Sequence, residues 1–299
     1  MMTPNNALKY IDESNKELDM MFHFQHIEAD CFMVDYIQKK FDLRKMKRAF
    51  SSWQEKLRGR AWNTLYIENH DHPRIISRYG SERYRVESGK MLANMYMLQQ
   101  GTPFIYQGQE LGMLNIRHES LDDYVDVFMK NNYNVAVNKV RLNKDKAWEW
   151  AVRSTRDNSR TPVQWDDSDN AGFTSGTPWF PVNPNYKQIN AKKEMEDPNS
   201  ILNHYKALIK FKRENEVAIF GDYKEHYKNS DKLYVYERNY LGKRLLVINS
   251  FSESTVPFEA PKGFNLDEGK PILCNYANPT VQGNGFKLRP YETRVYVFE

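Results

Sequence analysis

A chain of 299 residues with 40% hydrophobic and 27% charged side chains has room for a sizeable core and about two domains. The net charge of +4 comes from basic residues interleaved with acids, which argues against a nucleic-acid partner, and no apolar run is long enough to span a membrane as a helix. Cys31 and Cys274 match no metal or redox spacing, so two buried thiols, no metal, no cofactor and a reducing cytoplasmic location are expected.

Residues 1–19 (MMTPNNALKYIDESNKELD) are polar and acidic, unlike a signal peptide. Within them residues 4–18 read as a helix, with Ala7, Leu8 and Ile11 at helical spacing. Residues 20–27 (MMFHFQHI) read as a short buried strand. Residues 41–57 read as a helix, and the basic run 39–48 (KKFDLRKMKR) as its solvated face. Residues 63–68 form a second strand and 84–100 an amphipathic helix stopped by Gly101 and Pro103. Residues 104–106 form a third strand. Strands alternating with helices imply a parallel α/β architecture, with reactive groups at the C-terminal strand ends. Polar clusters follow Ile27, Ile67 and Tyr106 at such ends.

Residues 113–196 differ, being rich in aromatics, prolines and short polar clusters. So long an excursion usually serves a site. Residues 197–215 read as a helix capped by Asp197 or Asn199. From about residue 217 the pattern becomes alternating short strands (KLYVYER, RLLVINSF, TRVYVFE), a small antiparallel β domain. The division is therefore 1–216, with the excursion 113–196, and 217–299.

The chemistry concentrates in residues 69–74 (NHDHPR), at the end of the 63–68 strand. Pro73 suits the first turn of a following helix, which leaves His70 and Asp71 at a strand-to-helix turn. Spacing alone leaves two readings open. Asp71 caps the helix while His70 bonds the backbone, or both side chains face a pocket.

Five motifs in order, NTLYIENHDHPRIISRYG (63–80), GTPFIYQGQELGM (101–113), RDNSRTPVQWDD (156–167), GFTSGTPWFPVNPNYKQIN (172–190) and LRPYE (288–292), resemble the C-terminal part of the alpha-amylase superfamily, glycoside hydrolase family 13. The resemblance is strongest to its oligo-1,6-glucosidase and α-glucosidase group. It implies an α/β fold: a partial (β/α)8 TIM barrel holding strands six to eight, plus a C-terminal antiparallel β-sandwich. It implies that Asp71 grips the 2- and 3-hydroxyls of a glucosyl unit and stabilises the oxocarbenium-like transition state. It likewise implies that His70 bonds sugar hydroxyls and that Arg156 helps close the pocket. A bland role for Arg156 is an ion pair with Asp157 or another acid. Arg160 and Trp165 are read as bracing the excursion.

The same resemblance implies that the nucleophile Asp and the acid Glu of this retaining chemistry lie upstream. No Gly-Phe-Arg occurs, and Glu110 sits in the eighth-strand motif, not the acid's place. The implied partners are an oligosaccharide substrate and a missing N-terminal half. An isolated partial barrel is expected to expose strand edges and a core face, with low solubility unless covered. The alternatives are a trehalose-6-phosphate hydrolase fragment, a sucrose isomerase, or a non-catalytic carbohydrate-binding remnant. The last would use exposed rings such as Tyr223, Tyr227, Tyr234 and Tyr236, although the spacing of the final two suits one face of a packed strand.

Overall fold

The computed structural model describes residues 2–15, 17–32, 34–277 and 283–299. Helix α1 (Pro4–Ile11) is shorter than expected, because the chain turns at Asp12, whose carboxylate accepts from Ser14 N. The expected strand over 20–27 has no ladder. Side-chain hydroxyls tie it down instead: Thr64 Oγ1 donates to Met21 O at 3.0 Å and Tyr66 Oη to His23 O at 2.7 Å. A 3₁₀ turn (Ile27–Asp30) follows, then the short antiparallel pair β1 (Cys31–Phe32) and β2 (Val34–Gln38).

Helix α2 (Leu43–Leu57) starts where Asp42 accepts from Arg44 N and Lys45 N, a carboxylate filling orphan donors at the positive helix end. One residue corrects the reading of 39–48 as a solvated face. Lys47 is fully buried, and its ammonium donates to the carbonyls of Tyr227, Ser230 and Leu233 at 2.6, 2.9 and 3.1 Å. Glu225 lies 3.6 Å away and balances its charge. Lys47 thus joins α2 to the C-terminal β region.

Strands β3 (Thr64–Leu65) and β4 (Thr102–Pro103) pair in parallel. Each is only two residues long, shorter than the 63–68 and 104–106 expectations, although Phe104 N still donates to Leu65 O at 2.7 Å. Helices α3 (Ile75–Tyr79) and α4 (Arg85–Met97) lie between them. Helix α4 is not amphipathic: every residue from Ser88 to Met97 is buried. It is wedged between α9 and the β region, so its polar side chains need protein partners. Asn94 pairs with His204 and Thr293, and Lys90 Nζ donates to Asn199 O at 2.5 Å.

The excursion contains a helical hairpin, α5 (Val127–Asn138) and α6 (Lys144–Ser154), with its own small core of Tyr124, Met129, Ala136, Ala147 and Ala151. Short helices α7 (Asp157–Arg160) and α8 (Ala191–Glu196) follow. Helix α9 (Ile201–Glu214) is capped by Ser200, whose side chain accepts from Asn203 N, not by Asp197 or Asn199.

After α10 (Glu216–Phe220) come β5 (Asp222–His226), β6 (Leu233–Tyr240), β7 (Lys243–Ser250), β8 (Val256–Glu259), β9 (Lys270–Cys274), β10 (Gly285–Leu288) and β11 (Thr293–Phe298). Five of them form an antiparallel sheet in the order β5-β6-β7-β11-β9, and β8 pairs with β10 in a second layer. Period-two alternation sorts the faces. Tyr234, Tyr236, Leu245 and Val247 pack toward α4, while Leu233, Val235, Leu246 and Ile248 pack toward Val256, Phe258 and Leu288. Tyr234 and Tyr236 are fully buried and Tyr223 is nearly so, which removes them as an exposed sugar-stacking platform. Cys31 is buried and Cys274 only half-buried, where two buried thiols were expected, and they are not joined. No helix among the described residues is long and apolar enough to cross a membrane.

Candidate functional site

The turn carrying His70 and Asp71 is set by a buried ion pair. Arg74 Nη1 donates to Glu68 Oε1 at 2.6 Å and to Gln107 O at 2.7 Å, and both side chains of the pair are buried. The second oxygen of Glu68 accepts from Ile75 N at 2.9 Å. Glu68 therefore serves the start of α3, and Asp71 is not its cap. Helix α3 begins at Ile75, so Pro73 lies before the helix rather than in its first turn. Burial pushes the Glu68 carboxyl up, and the Arg74 guanidinium opposes that shift. Gly108 (φ 84°) lets the chain pack closely there, since a Cβ would collide with Met113 Sδ and lie 3.2 Å from the Arg74 guanidinium.

The structure brings the predicted residues together. Asp71 N donates to Asn69 Oδ1 at 2.8 Å, which fixes the tight turn. The Asp71 carboxylate is 44% exposed and divides its two oxygens. Oδ1 lies 2.8 Å from Arg160 Nη2 and 3.5 Å from Arg156 Nε, while Oδ2 faces His70 Nε2 at 3.4 Å. Arg156 thus pairs with Asp71, not Asp157, and its guanidinium lies 5.3 Å over the Phe128 ring.

Arg160 is the residue that sequence reasoning misplaced. It braces the turn itself, donating from Nε to His70 O at 2.9 Å and from Nη2 to Asp71. Ser159 Oγ donates to His72 O, and Tyr106 Oη donates to Ser159 O at 2.9 Å. Arg160 and Ser159 therefore stitch α7 to the 69–73 turn, and Tyr106 ties it to the segment after β4. The RDNSR pattern marked the segment, but sequence spacing does not show which arginine reaches back across some ninety residues. Trp165 stays half-exposed at the excursion surface.

Two cavities meet at Tyr106. A cleft of about 330 Å³ is lined by Phe22, Phe24, Tyr66, Glu68, His70, Asp71 and Phe104. A larger cavity of about 630 Å³ is lined by Arg156, Arg160, Phe128, Phe173 and Trp179 among others. Asp71 and its two arginines lie between them. The first cleft is open on an apolar side, with Phe22, Phe24 and Phe104 exposed by 45%, 48% and 39%.

This arrangement suits binding. A carboxylate flanked by guanidiniums and an imidazole can hold a vicinal hydroxyl pair. Glycosidic cleavage needs a nucleophile and an acid about 5 Å apart for retention. The other carboxylate lining the cleft, Glu68, is committed to Arg74 and to Ile75 N. Glu110 lines neither cavity. Burial pushes its carboxyl up, and its Oε2 has no hydrogen-bond partner among the described residues. No cluster of three or more metal-ligating side chains occurs among the described residues.

Comparison with known proteins gives the same direction. An oligo-1,6-glucosidase of Parageobacillus thermoglucosidasius is 41% identical over 298 residues, covering 99% of this chain and 53% of the relative. A trehalose-6-phosphate hydrolase of Bacillus subtilis is 40% identical, covering 98% of this chain and 53% of the relative. The crystal structure of a Bacillus licheniformis trehalose-6-phosphate hydrolase superposes with a TM-score of 0.94 at 39% identity, over 99% of this chain and 54% of that one. The chain spans about half the length of the curated relatives it matches. Residues 1–221 match the alpha-amylase catalytic domain, and with the shared fold and the turn at Asp71 this shows that the chain belongs to the alpha-amylase family.

Proposed function

We propose that this chain is the C-terminal portion of a retaining, exo-acting α-glucosidase of the oligo-1,6-glucosidase type. In this reading residues 1–216 contribute barrel strands six to eight and residues 217–299 form the accessory β-sandwich. Asp71 grips the glucosyl hydroxyls and stabilises positive charge at the anomeric carbon. His70 and Arg156 bind the same unit. The observation that carries the reading is the Asp71 carboxylate, held between Arg160, Arg156 and His70 at the rim of a cleft. The nucleophile and the acid come from an N-terminal half, which would cover the exposed Phe22, Phe24 and Phe104. Alone, the chain binds a glucosyl unit and does not cleave it, because positioning cannot replace missing bond-making groups. The similarity to trehalose-6-phosphate hydrolases keeps trehalose-6-phosphate as the second substrate. The half-buried and buried thiols suit a cytoplasmic setting.

Titration of the chain with methyl α-glucoside, followed by NMR, tests this reading. The wild-type chain should bind, and Asp71→Asn should weaken binding by about tenfold or more, the cost of losing a charged hydrogen-bond acceptor. Equal binding by both proteins would remove Asp71 from the site.

A further inference from the structure

We propose that Arg160 is a positioning residue, whose guanidinium presents the Asp71 carboxylate to the sugar in one fixed orientation. The inference rests on the reading of Asp71 given above. Its basis is a division of labour between two arginines at Asp71 that their sequence spacing does not show. Arg160 is two-thirds buried and uses two N–H groups of one plane, Nε on His70 O at 2.9 Å and Nη2 on Asp71 Oδ1 at 2.8 Å. One rigid fork thereby sets both the backbone of the turn and the rotation of the carboxylate. Arg156 approaches the same oxygen only to 3.5 Å, and its exposed guanidinium is available to a ligand. With Oδ1 held by Arg160, Oδ2 is the oxygen left to accept from a hydroxyl.

An unheld carboxylate would rotate about its terminal torsion, which is broad and roughly two-fold, and would lose freedom on binding. Prior fixation removes that cost. Ser159, which binds the same segment to the turn, and Tyr106, which holds it from the segment after β4, keep α7 docked when Arg160 is replaced. The Arg160 substitution therefore separates orientation of the carboxylate from attachment of the excursion.

The test compares affinities for methyl α-glucoside and its 2-deoxy analogue, by NMR titration of the full chain. Wild type should favour the parent sugar by about tenfold, the value of one hydrogen bond to a charged group. Arg160→Gln should bring that ratio close to one with the melting temperature unchanged, and Arg160→Lys should fall between. A ratio unchanged in Arg160→Gln overturns the proposal, as does a parallel loss of affinity for both sugars, the signature of a merely structural role. A wild-type ratio of one, or one that Asp71→Asn leaves intact, overturns the reading of Asp71 and the Arg160 role with it. Collapse in Asp71→Asn but not in Arg160→Gln overturns only the latter.

Discussion

Glu68→Ala should destabilise the chain by about 3–5 kcal/mol in urea unfolding, the usual result of stranding one partner of a buried ion pair. The substitution leaves the fully buried Arg74 guanidinium without its carboxylate and also strips Ile75 N of its acceptor. Gln107 O remains for one N–H of Arg74, too little to solvate a buried charge. Replacing both partners, Glu68→Leu with Arg74→Met, should cost much less than the sum of the single changes, because no charge is then stranded. A loss below about 1 kcal/mol in Glu68→Ala would show that the pair does not hold the turn. The site follows from the pair: with Glu68 committed to the start of α3, Asp71 is released from capping and stays at the cleft.

The second large effect is acid sensitivity from buried histidines. His23 stacks on Trp53 with ring centroids 4.0 Å apart, and burial pulls its titration down to about 3. His26 is fully enclosed among Phe50, Tyr66 and His23, and burial holds it well below the usual histidine range, helped by the nearby His23, His72 and Arg78. His204, whose Nε2 lies 2.8 Å from Asn94 Oδ1, is pulled down to about 3 by burial and by Lys90. All three are neutral when folded and take up protons below about pH 6.5 when unfolded. The unfolded state then binds more protons, so stability falls as pH falls, from about 6.5 toward the folded values. Each contributes about 1.4 kcal/mol per pH unit in that window, and together about 4. Glu68, Glu110 and Asp157, whose carboxyls burial pushes up, bind protons more readily when folded and offset part of this loss. Urea unfolding at pH 6, 5 and 4 checks the sum. His26→Phe should flatten the slope by about 1.4 kcal/mol per unit, and an unchanged slope would show that His26 is already charged or hydrated.

What could be read from the sequence follows from how far each signal acts. The alternation in LYVYER separated the two faces of β6, because a strand's pleat is local. The NHD turn was legible for a similar reason: apolar residues precede it and a helix follows. Longer-range features were not. Nothing local distinguishes Lys47 from its solvated neighbours, since its partners lie some 180 residues away in the β region. Helix α4 read as amphipathic because its Ser88, Lys90 and Asn94 look like a wet face, whereas Asn94 meets α9 and β11, Lys90 the carbonyl of Asn199 just before α9, and Ser88 the Ser81 backbone. The 20–27 segment has a strand's composition, but its backbone is held by hydroxyls and not by a ladder. Arg160 went unrecognised for the same reason as Lys47. In the excursion a signal was present and missed: Met129, Tyr133, Ala136 and Val137 have helical spacing.

The proposed reading makes this chain a glucosyl-binding half-site without the groups that break the bond. Release of p-nitrophenol from p-nitrophenyl α-glucoside by the purified, folded chain tests it most directly, with Asp71→Asn as the control. The expected result is no release above the uncatalysed rate from a protein that still binds methyl α-glucoside. Release that disappears in Asp71→Asn would contradict the account, because a second carboxylate of this chain would then be acting at the anomeric carbon.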